Sequence, residues 1–378
     1  MASPQHSLSV RVRELNELPF PNFRKPEEIA CFSTKGSSLS KSDDTDFPEV
    51  TTPYVLRSSR DTMPRSLCES SAHNKMVLVD PLKQQKIKFD LNAGYGSQVP
   101  KADEKEYLNV LLLSLLKENL VGQSEFVSWR GLLTKLAATP YDAGGKFDDG
   151  LMLCVQKIGK TFYMCEFPTK SSERAKEAMT ERQKEMAYWG MKFESYVTAT
   201  EGSKPHPEVP MNFNHEFGSV VRTKLGSHSM MYGGEVDCYH PETSKYVELK
   251  TTRKIEHRGQ ESSFRRFKLM KWWLQSFLIG IEDVLCGFRD DHGIVDSCRW
   301  YSVSEMPRLA RTENNNWKPN VCFNFLHEFL DYIKHNVTEE FVPHVIERKP
   351  NETVFHLRQD TSSDFIFVPA WFAKEAMM

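Results

Sequence analysis

Acidic side chains alternate along two consecutive β-like segments in the middle of the chain. The first segment carries Glu235 and Asp237, and the second, after a short turn, carries Glu248 and Lys250. Residues i and i+2 of a strand face the same side, so each segment presents its charged pair on one face. If the two strands pair, three carboxylates and one ammonium meet on a small patch. Two interpretations are open: the solvated face of an amphipathic hairpin, or a hydrolytic metal site.

The balance of charge favours the metal site. Carboxylates opposed across a ladder are unfavourable neighbours, and one lysine does not offset three acids. Mg²⁺ prefers carboxylate and water oxygens and removes this conflict. Acids followed by an ExK pair are the working parts of metal-dependent phosphodiester hydrolysis, in which Lys250 orients or polarises the attacking water. Glu194, at the end of a long predicted helix, is the best candidate for a fourth carboxylate, although a helical Glu is most often solvated.

Cationic and aromatic residues follow this hairpin. Residues 250–271 contain eight basic and two acidic side chains, a pattern typical of a solvated helix face that also suits the phosphates of a polynucleotide. Trp272 and Trp273 could stack on bases, but core packing is the better interpretation, at least for Trp273. Arg130 lies among aliphatic residues and needs an anionic partner, either a structural carboxylate, which we favour slightly, or a substrate phosphate.

The composition limits the class of protein that carries these residues. The chain has 378 residues, 39% of them hydrophobic, and a formal net charge of −2, which predicts a globular protein without a polyanion-binding surface overall. Its longest apolar stretch, residues 110–116, is too short for a membrane-spanning helix. Eight scattered cysteines without a CxxC pair indicate neither a zinc site nor a disulfide framework, and we expect a reducing compartment.

The predicted elements neither alternate strictly nor segregate, which indicates an α+β fold of mixed β-sheets flanked by helices. We expect a flexible tail over residues 1–18 and a single domain over 19–378, with an irregular surface excursion at 33–75. The patterns predict helices over residues 104–120, 171–197, 262–281 and 320–333. They predict strands over residues 151–157, 161–167, 217–225, 230–239, 245–252, 284–288, 293–301, 353–358 and 364–368.

Several motifs together resemble the DXO family of RNA decapping nucleases. In chain order they are WRGLLTKL at 129–136, GMKFE at 190–194, GGEVD at 233–237, YVELKT at 246–251 and KWWLQSF at 271–277. The resemblance implies a PD-(D/E)xK nuclease-like core. It also implies a metal-dependent hydrolase that removes incomplete or non-standard caps, including NAD caps, from RNA 5′ ends by phosphodiester hydrolysis. Release of pyrophosphate from 5′-triphosphate RNA and 5′–3′ exoribonuclease activity are further expectations.

The resemblance also assigns residues to roles, matched motif by motif. The catalytic residues it implies are Glu194, Glu235, Asp237, Glu248, Lys250 and Gln275. The implied ligands of Mg²⁺ or Mn²⁺, expected as two divalent ions, are Glu194, Glu235, Asp237, Glu248 and the Leu249 carbonyl. The implied substrate-binding residues are Glu106, Trp129, Arg130, Gly131, Gly218, Glu235, Lys250 and Gln275.

The expected partner is an RNA 5′ end that is capped, NAD-capped, triphosphorylated or monophosphorylated. By resemblance we expect a monomer, an exonuclease partner, no membrane, and a location in the nucleus and also the cytoplasm. The alternative is a non-catalytic RNA 5′-end-binding scaffold or a stimulator of a partner exonuclease. A binding-only protein has no need for four carboxylates and a lysine, so the complete acid set favours the enzyme. A DNA nuclease of the same fold is a third hypothesis.

Overall fold

The computed structural model describes residues 7–34, 57–58, 76–84, 86–100, 107–145, 148–199, 202–214, 216–311 and 317–377. Its helices are α1 Val12–Glu17, α2 Asn109–Lys117, α3 Arg130–Asp142, α4 Lys170–Glu177, α5 Glu181–Val197, α6 Arg258–Ser263, α7 Leu269–Ile279, α8 Met306–Leu309, α9 Pro319–Asn336 and α10 Ala370–Ala376. A π-helical turn, Phe264–Lys268, joins α6 to α7. None of the helices described is both long enough and apolar enough to cross a bilayer.

The strands of the described residues form two mixed sheets. The first sheet, in spatial order, contains β1 Ser7–Ser9, β17 Val354–Gln359, β16 His344–Arg348, β7 Leu151–Ile158, β8 Thr161–Phe167, β6 Phe126–Trp129, β11 His228–Glu235, β10 Glu216–Leu225, β2 Glu27–Thr34 and β3 Arg57–Ser58. The second contains β5 Phe89–Asp90, β15 Ile294–Ser302, β14 Asp283–Arg289, β13 Tyr246–Arg253, β12 Cys238–Tyr239, β4 Val77–Leu78 and β9 Thr198–Ala199. The α+β prediction is therefore confirmed.

Three apolar clusters hold the layers together. The largest lies between the sheets and combines α3, α7 and α9 with inward-facing residues of both sheets. A second cluster packs α2 and α10 on the outer face of the first sheet. The third packs α5 on the outer face of the second sheet, where Phe193 meets Leu249 and Leu285. Leu249 faces outward, so its neighbours Glu248 and Lys250 point the other way, towards the space between the sheets.

The two segments that carry the acidic residues belong to different sheets. β11 ends at Glu235 in the first sheet, and β12 begins at Cys238 in the second, so the chain crosses between sheets at Val236 and Asp237. The prediction of one continuous strand over 230–239 is therefore wrong, and the pairing considered for it with the next strand forms only in part. Only the last two residues, in β12, pair with β13. Val236 is buried and donates its N–H to the Phe217 carbonyl, which fixes the crossover.

Other expectations are corrected locally. The chain from Ser7 on does not form a tail, because β1 pairs with β17 and Leu15 of α1 is fully buried. The helix predicted over 171–197 is two helices, since Thr180 begins α5 with a capping box. Residues 364–368 form a 3₁₀ turn at Ser363–Phe365 rather than a strand.

The segments predicted at 33–75 and 104–120 are described only in part. Within the surface excursion, Ser33 and Thr34 belong to β2, and Arg57–Ser58 pair with that strand. Residues 35–56 and 59–75 lie outside the described residues. The predicted helix 104–120 begins at Asn109, after residues 101–106, which also lie outside them. The hairpin predicted over 151–167 is confirmed.

Candidate active site

The acidic residues converge where the two sheets meet. Glu235 ends β11, Asp237 lies in the crossover, Glu248 belongs to β13, and Glu194 comes from the last turns of α5. Asp237 Oδ2 accepts the Leu249 N–H at 2.6 Å, which ties the crossover to the middle of β13. Neighbouring carboxylates contribute to the raised pKa of Glu194, Glu235 and Asp237, as expected for like charges brought close together.

Glu248 has an almost fully buried side chain and is held by two cations. Its Oε2 lies 3.3 Å from Arg130 Nη1, and its Oε1 contacts the Lys250 ammonium. Burial favours the neutral acid, but Lys250 and Arg130 outweigh it, so the pKa of Glu248 is lowered. Burial likewise opposes the charge of Lys250, yet Glu248 and Asp237 raise its pKa. The group is therefore charged at neutral pH, with Lys250 as a donor rather than a base.

The other carboxylates are not neutralised in this way. Among the residues that the structure describes, no donor reaches the side chain of Glu194 or Glu235. Burial, then Asp237 and Glu235, raises the pKa of Glu194. Burial, then Glu216 and Asp237, raises the pKa of Glu235 to about 8. Burial, then Glu248, raises the pKa of Asp237 to about 6.

This donor set fits a hard divalent cation. Carboxylate oxygens without protein donors are the ligands that Mg²⁺ and Mn²⁺ prefer. The Leu249 carbonyl also fits, because the N–H and C=O of a strand residue point to the same side, and this N–H is directed at Asp237. Glu194, Glu235, Asp237, Glu248 and the Leu249 carbonyl are therefore the residues that could hold metal.

Two glycines of β11 let α3 approach this centre. A Cβ at Gly233 would lie 2.5 Å from the Trp129 ring, and one at Gly234 would lie 3.1 Å from Arg130. The missing side chains allow β11 to lie directly against the start of α3. Trp129 is fixed by its Nε1, which donates to the Tyr107 carbonyl at 2.7 Å. Arg130 thus reaches Glu248 from the opposite sheet, and Glu248 is the structural carboxylate that we favour as its anionic partner.

Comparison with known proteins decides the family. Residues 24–373 match the family model described as RAI1 like PD-(D/E)XK nuclease. The chain belongs to this family. This RAI1-like nuclease is 33% identical to the human decapping and exoribonuclease protein over 95% of this chain and 87% of that protein.

Two solved structures share its fold. Candida albicans Rai1, in complex with pU5-Mn²⁺, superposes with a TM-score of 0.76 at 20% identity over 99% of this chain and all of that chain (100%). Scheffersomyces stipitis Rai1, in complex with (3′-NADP)⁺ and calcium ion, gives a TM-score of 0.76 at 22% identity over 95% and 97% of the two chains. The predictions of the family, of a PD-(D/E)xK-like core and of a decapping nuclease are confirmed.

The remaining residues predicted to bind substrate are distributed unevenly around the acidic centre of this RAI1-like nuclease. Gly218 of β10 lies opposite Glu235 in the ladder. Gln275 lies one turn before Ile279 on α7, and Ile279 contacts Gly234, so Gln275 is on the helix face towards β11. Trp129 and Gly131 border a cavity of about 560 Å³ on the other side of α3, whose lining includes Tyr107, Met164, Phe167 and Phe365. Glu106 lies outside the described residues.

Sequence reasoning missed Glu216. It is two residues before Gly218 on β10, on the same face, and it raises the pKa of Glu235. The i, i+2 spacing to Gly218 is visible in the sequence, but its register against Glu235 is not. Glu216 adds a fifth carboxylate to the negative potential around the centre.

The basic side chains of residues 250–271 in this nuclease are largely paired with acidic side chains of the same chain. Arg253 pairs with Asp291, and Lys254 with Asp296, while Lys271 lies 3.0 Å from Asp142. Trp272 and Trp273 are both buried in the core. The base-stacking interpretation is therefore wrong for both tryptophans.

Proposed function

We propose that this protein hydrolyses the phosphodiester that follows the cap of RNA 5′ ends, and that it removes incomplete or non-standard caps, including NAD caps. The observation that carries this proposal is a pair of carboxylates without donors, Glu194 and Glu235, beside an acid that two cations hold in place. Such a centre is unfavourable unless a cation binds, and phosphodiester hydrolysis uses this combination of acids and lysine.

Divalent ions, two of them and either Mg²⁺ or Mn²⁺, would be held by Glu194, Glu235, Asp237, Glu248 and the Leu249 carbonyl. A bound ion of this kind supplies Lewis-acid stabilisation of the phosphate and a more acidic water. Two structural neighbours support the use of a divalent ion, since Candida albicans Rai1 is in complex with pU5-Mn²⁺ and Scheffersomyces stipitis Rai1 with (3′-NADP)⁺ and calcium ion.

The chain's own cations complete the chemistry. Lys250 remains protonated beside Glu248, so its ammonium donates to a phosphate oxygen and stabilises negative charge that develops there. Arg130 has five N–H donors, and in the described residues only Glu248 takes one of them. Its remaining donors are free to hold a 5′ phosphate in register with the acids.

Further parts of the proposal follow from the family. They are pyrophosphate release from 5′-triphosphate RNA, 5′–3′ exoribonuclease activity, a monomeric enzyme and an exonuclease partner. A nuclear location, with a cytoplasmic fraction, stays a prediction from resemblance alone.

The test incubates NAD-capped, 5′-triphosphorylated and 5′-monophosphorylated RNA with the protein and Mn²⁺. We expect the wild type to release the NAD cap and Glu235→Gln to bind the same RNA without cleaving it. Glu242→Gln, an exposed acid on the β12–β13 turn, is the matched control and should retain full activity. RNA retention without cleavage by wild type and Glu235→Gln alike would support the scaffold instead. Cleavage of matched DNA at an equal rate would support a DNA nuclease.

A further inference from the structure

A second cluster of metal-binding side chains lies at the opposite end of β11. His228, His327 and Asp331 each place one ligand atom within 4.8 Å of the others. His228 is the first residue of β11 and Glu235 the last, so at the rise of a β-strand the two ends are about 24 Å apart. This cluster is therefore separate from the acidic centre, and the proposed function does not use it.

The contacts within the cluster have the distances of ligands around a common ion. His228 Nε2 lies 3.0 Å from Asp331 Oδ1, and His327 Nδ1 lies 3.3 Å from Asp331 Oδ2. Zinc bonds of about 2.0–2.2 Å in a tetrahedron place neighbouring ligand atoms about 3.3 Å apart.

The orientation of His228 distinguishes this arrangement from an ordinary histidine–aspartate pair. Its side chain is fully buried, yet neither ring nitrogen makes a hydrogen bond in the part of the chain that the structure describes. The imidazole is therefore close to Asp331 without aiming a nitrogen at its oxygen. A buried ring without hydrogen bonds is costly unless something else fills its coordination.

The surroundings support a cation. In the described residues the Asp331 carboxylate forms ion pairs only with the two imidazoles. The nearby Lys334 pairs with Glu125 instead. His327 lies against the β10–β11 turn, where a Cβ at Gly226 would fall 2.4 Å from its Nε2. This packing turns Nδ1 towards Asp331, and the spacing of His327 and Asp331, four residues apart on α9, places both on one helix face.

We propose that His228, His327 and Asp331 bind a divalent transition-metal ion, Zn²⁺ in the first place, which pins α9 to the β10–β11 hairpin. Two imidazole nitrogens and one carboxylate suit Zn²⁺, whereas Mg²⁺ and Ca²⁺ select oxygen ligands. His327 and Asp331 are partly exposed, which leaves a fourth position for water. No covalent or redox step is involved.

The test measures Zn²⁺ binding in the full chain after chelator treatment and dialysis. The double variant Glu235→Gln/Asp237→Asn serves as the background, because it removes competing binding at the acidic centre. Bound metal is counted by elemental analysis, and affinity is measured by competition with a chromophoric chelator. We expect one Zn²⁺ in this background, and an affinity at least about 100-fold lower after His327→Gln or Asp331→Asn is added.

Two comparisons make the result specific. His335→Gln, one turn beyond Asp331 on the same helix and exposed, should keep the Zn²⁺. Co²⁺ in place of Zn²⁺ should give the visible absorption of a tetrahedral site, which His327→Gln abolishes. The proposal is overturned if the background variant binds no Zn²⁺, or if its affinity is unchanged by both His327→Gln and Asp331→Asn.

Discussion

Carboxylates are treated in opposite ways in two regions of this molecule. Asp148 and Arg348 form a two-pronged ion pair, with N–O distances of 2.6 and 2.7 Å, and both side chains are almost fully buried. The backbone N–H groups of Gly144 and Gly150 also donate to Asp148. In the acidic centre, by contrast, Glu194 and Glu235 have no donor among the described residues.

The pKa values record this difference. Burial alone would raise the pKa of Asp148, but Arg348 and the two N–H groups hold it at about 2. Around Glu235 desolvation and the neighbouring carboxylates Glu216 and Asp237 outweigh the attraction of Arg130, and its pKa rises to about 8. The partners of a paired charge offset its desolvation within the protein, whereas a charge without such partners leaves interaction energy for a ligand.

The largest effect is expected from removing charge in the acidic centre. Asp237→Asn should lower the rate of cap removal at least about 10³-fold, equivalent to about 4 kcal/mol. It removes a carboxylate that we propose as a metal ligand, while the amide oxygen can still accept the Leu249 N–H. Single-turnover kinetics with NAD-capped RNA measure the effect. A loss below tenfold would show that Asp237 is not a ligand.

Breaking the paired region should reduce stability instead. Arg348→Met leaves the buried Asp148 carboxylate uncompensated, and we expect a loss of about 3–5 kcal/mol in the free energy of unfolding. The matched control is Arg308→Met, which removes an exposed pair with Glu305 and should cost less than about 0.5 kcal/mol. Urea denaturation compares the two variants, and equal losses would contradict the comparison.

Mg²⁺ should raise the stability of the protein by binding at the acidic centre and not at the Asp148–Arg348 pair. Mg²⁺ at about 100 times its dissociation constant should raise the free energy of unfolding of the chelator-treated protein by about 2.7 kcal/mol. Asp237→Asn should lose most of this gain, and His327→Gln should keep it, because Mg²⁺ does not select imidazole. Thermal melts with and without Mg²⁺ test this prediction. If Mg²⁺ raised the melting temperature of Asp237→Asn as much as that of the wild type, Mg²⁺ would bind elsewhere.

Acid should weaken the paired region over a defined range of pH. Because the pKa of Asp148 is about 2 in the fold and about 3.8 in the unfolded chain, its contribution is fully present above about pH 5. It is lost as the pH falls through the folded pKa. We expect the difference in unfolding free energy between wild type and Asp148→Asn to narrow by about 2 kcal/mol between about pH 5 and pH 2. A constant difference would exclude this titration.

Local pattern predicted the parts of the site that lie on one strand. The i, i+2 rule placed Glu248 and Lys250 on one face of β13, and they are in contact there. The fourth carboxylate, Glu194, is not fixed by local pattern. It was a candidate because of the two acidic segments, and its role as a metal ligand came from the family resemblance. Val236 and Cys238, on either side of Asp237, are both buried. Alternating apolar and acidic residues fit a continuous strand and a crossover between sheets equally well, so the sequence could not distinguish these two structures.

The cluster of His228, His327 and Asp331 also could not be predicted from local sequence pattern. His327 and Asp331 have a recognisable helical spacing, but an i, i+4 pair is common on exposed helices. His228 is far from them in sequence and reads as a lone core histidine. Only the packing of α9 against the β10–β11 hairpin brings the three together, and that contact depends on long-range topology.

The crossover at Val236 and Asp237 has a mechanical consequence. Glu235 moves with one sheet and Glu248 with the other, so sliding the sheets past each other changes the separation of their oxygens. Divalent ions such as Mg²⁺ tolerate only a few tenths of an ångström in such separations. The affinity of the acidic centre for ions should therefore depend on how the two sheets are aligned. Substitutions in the apolar layer between the sheets should change that affinity before they unfold the chain.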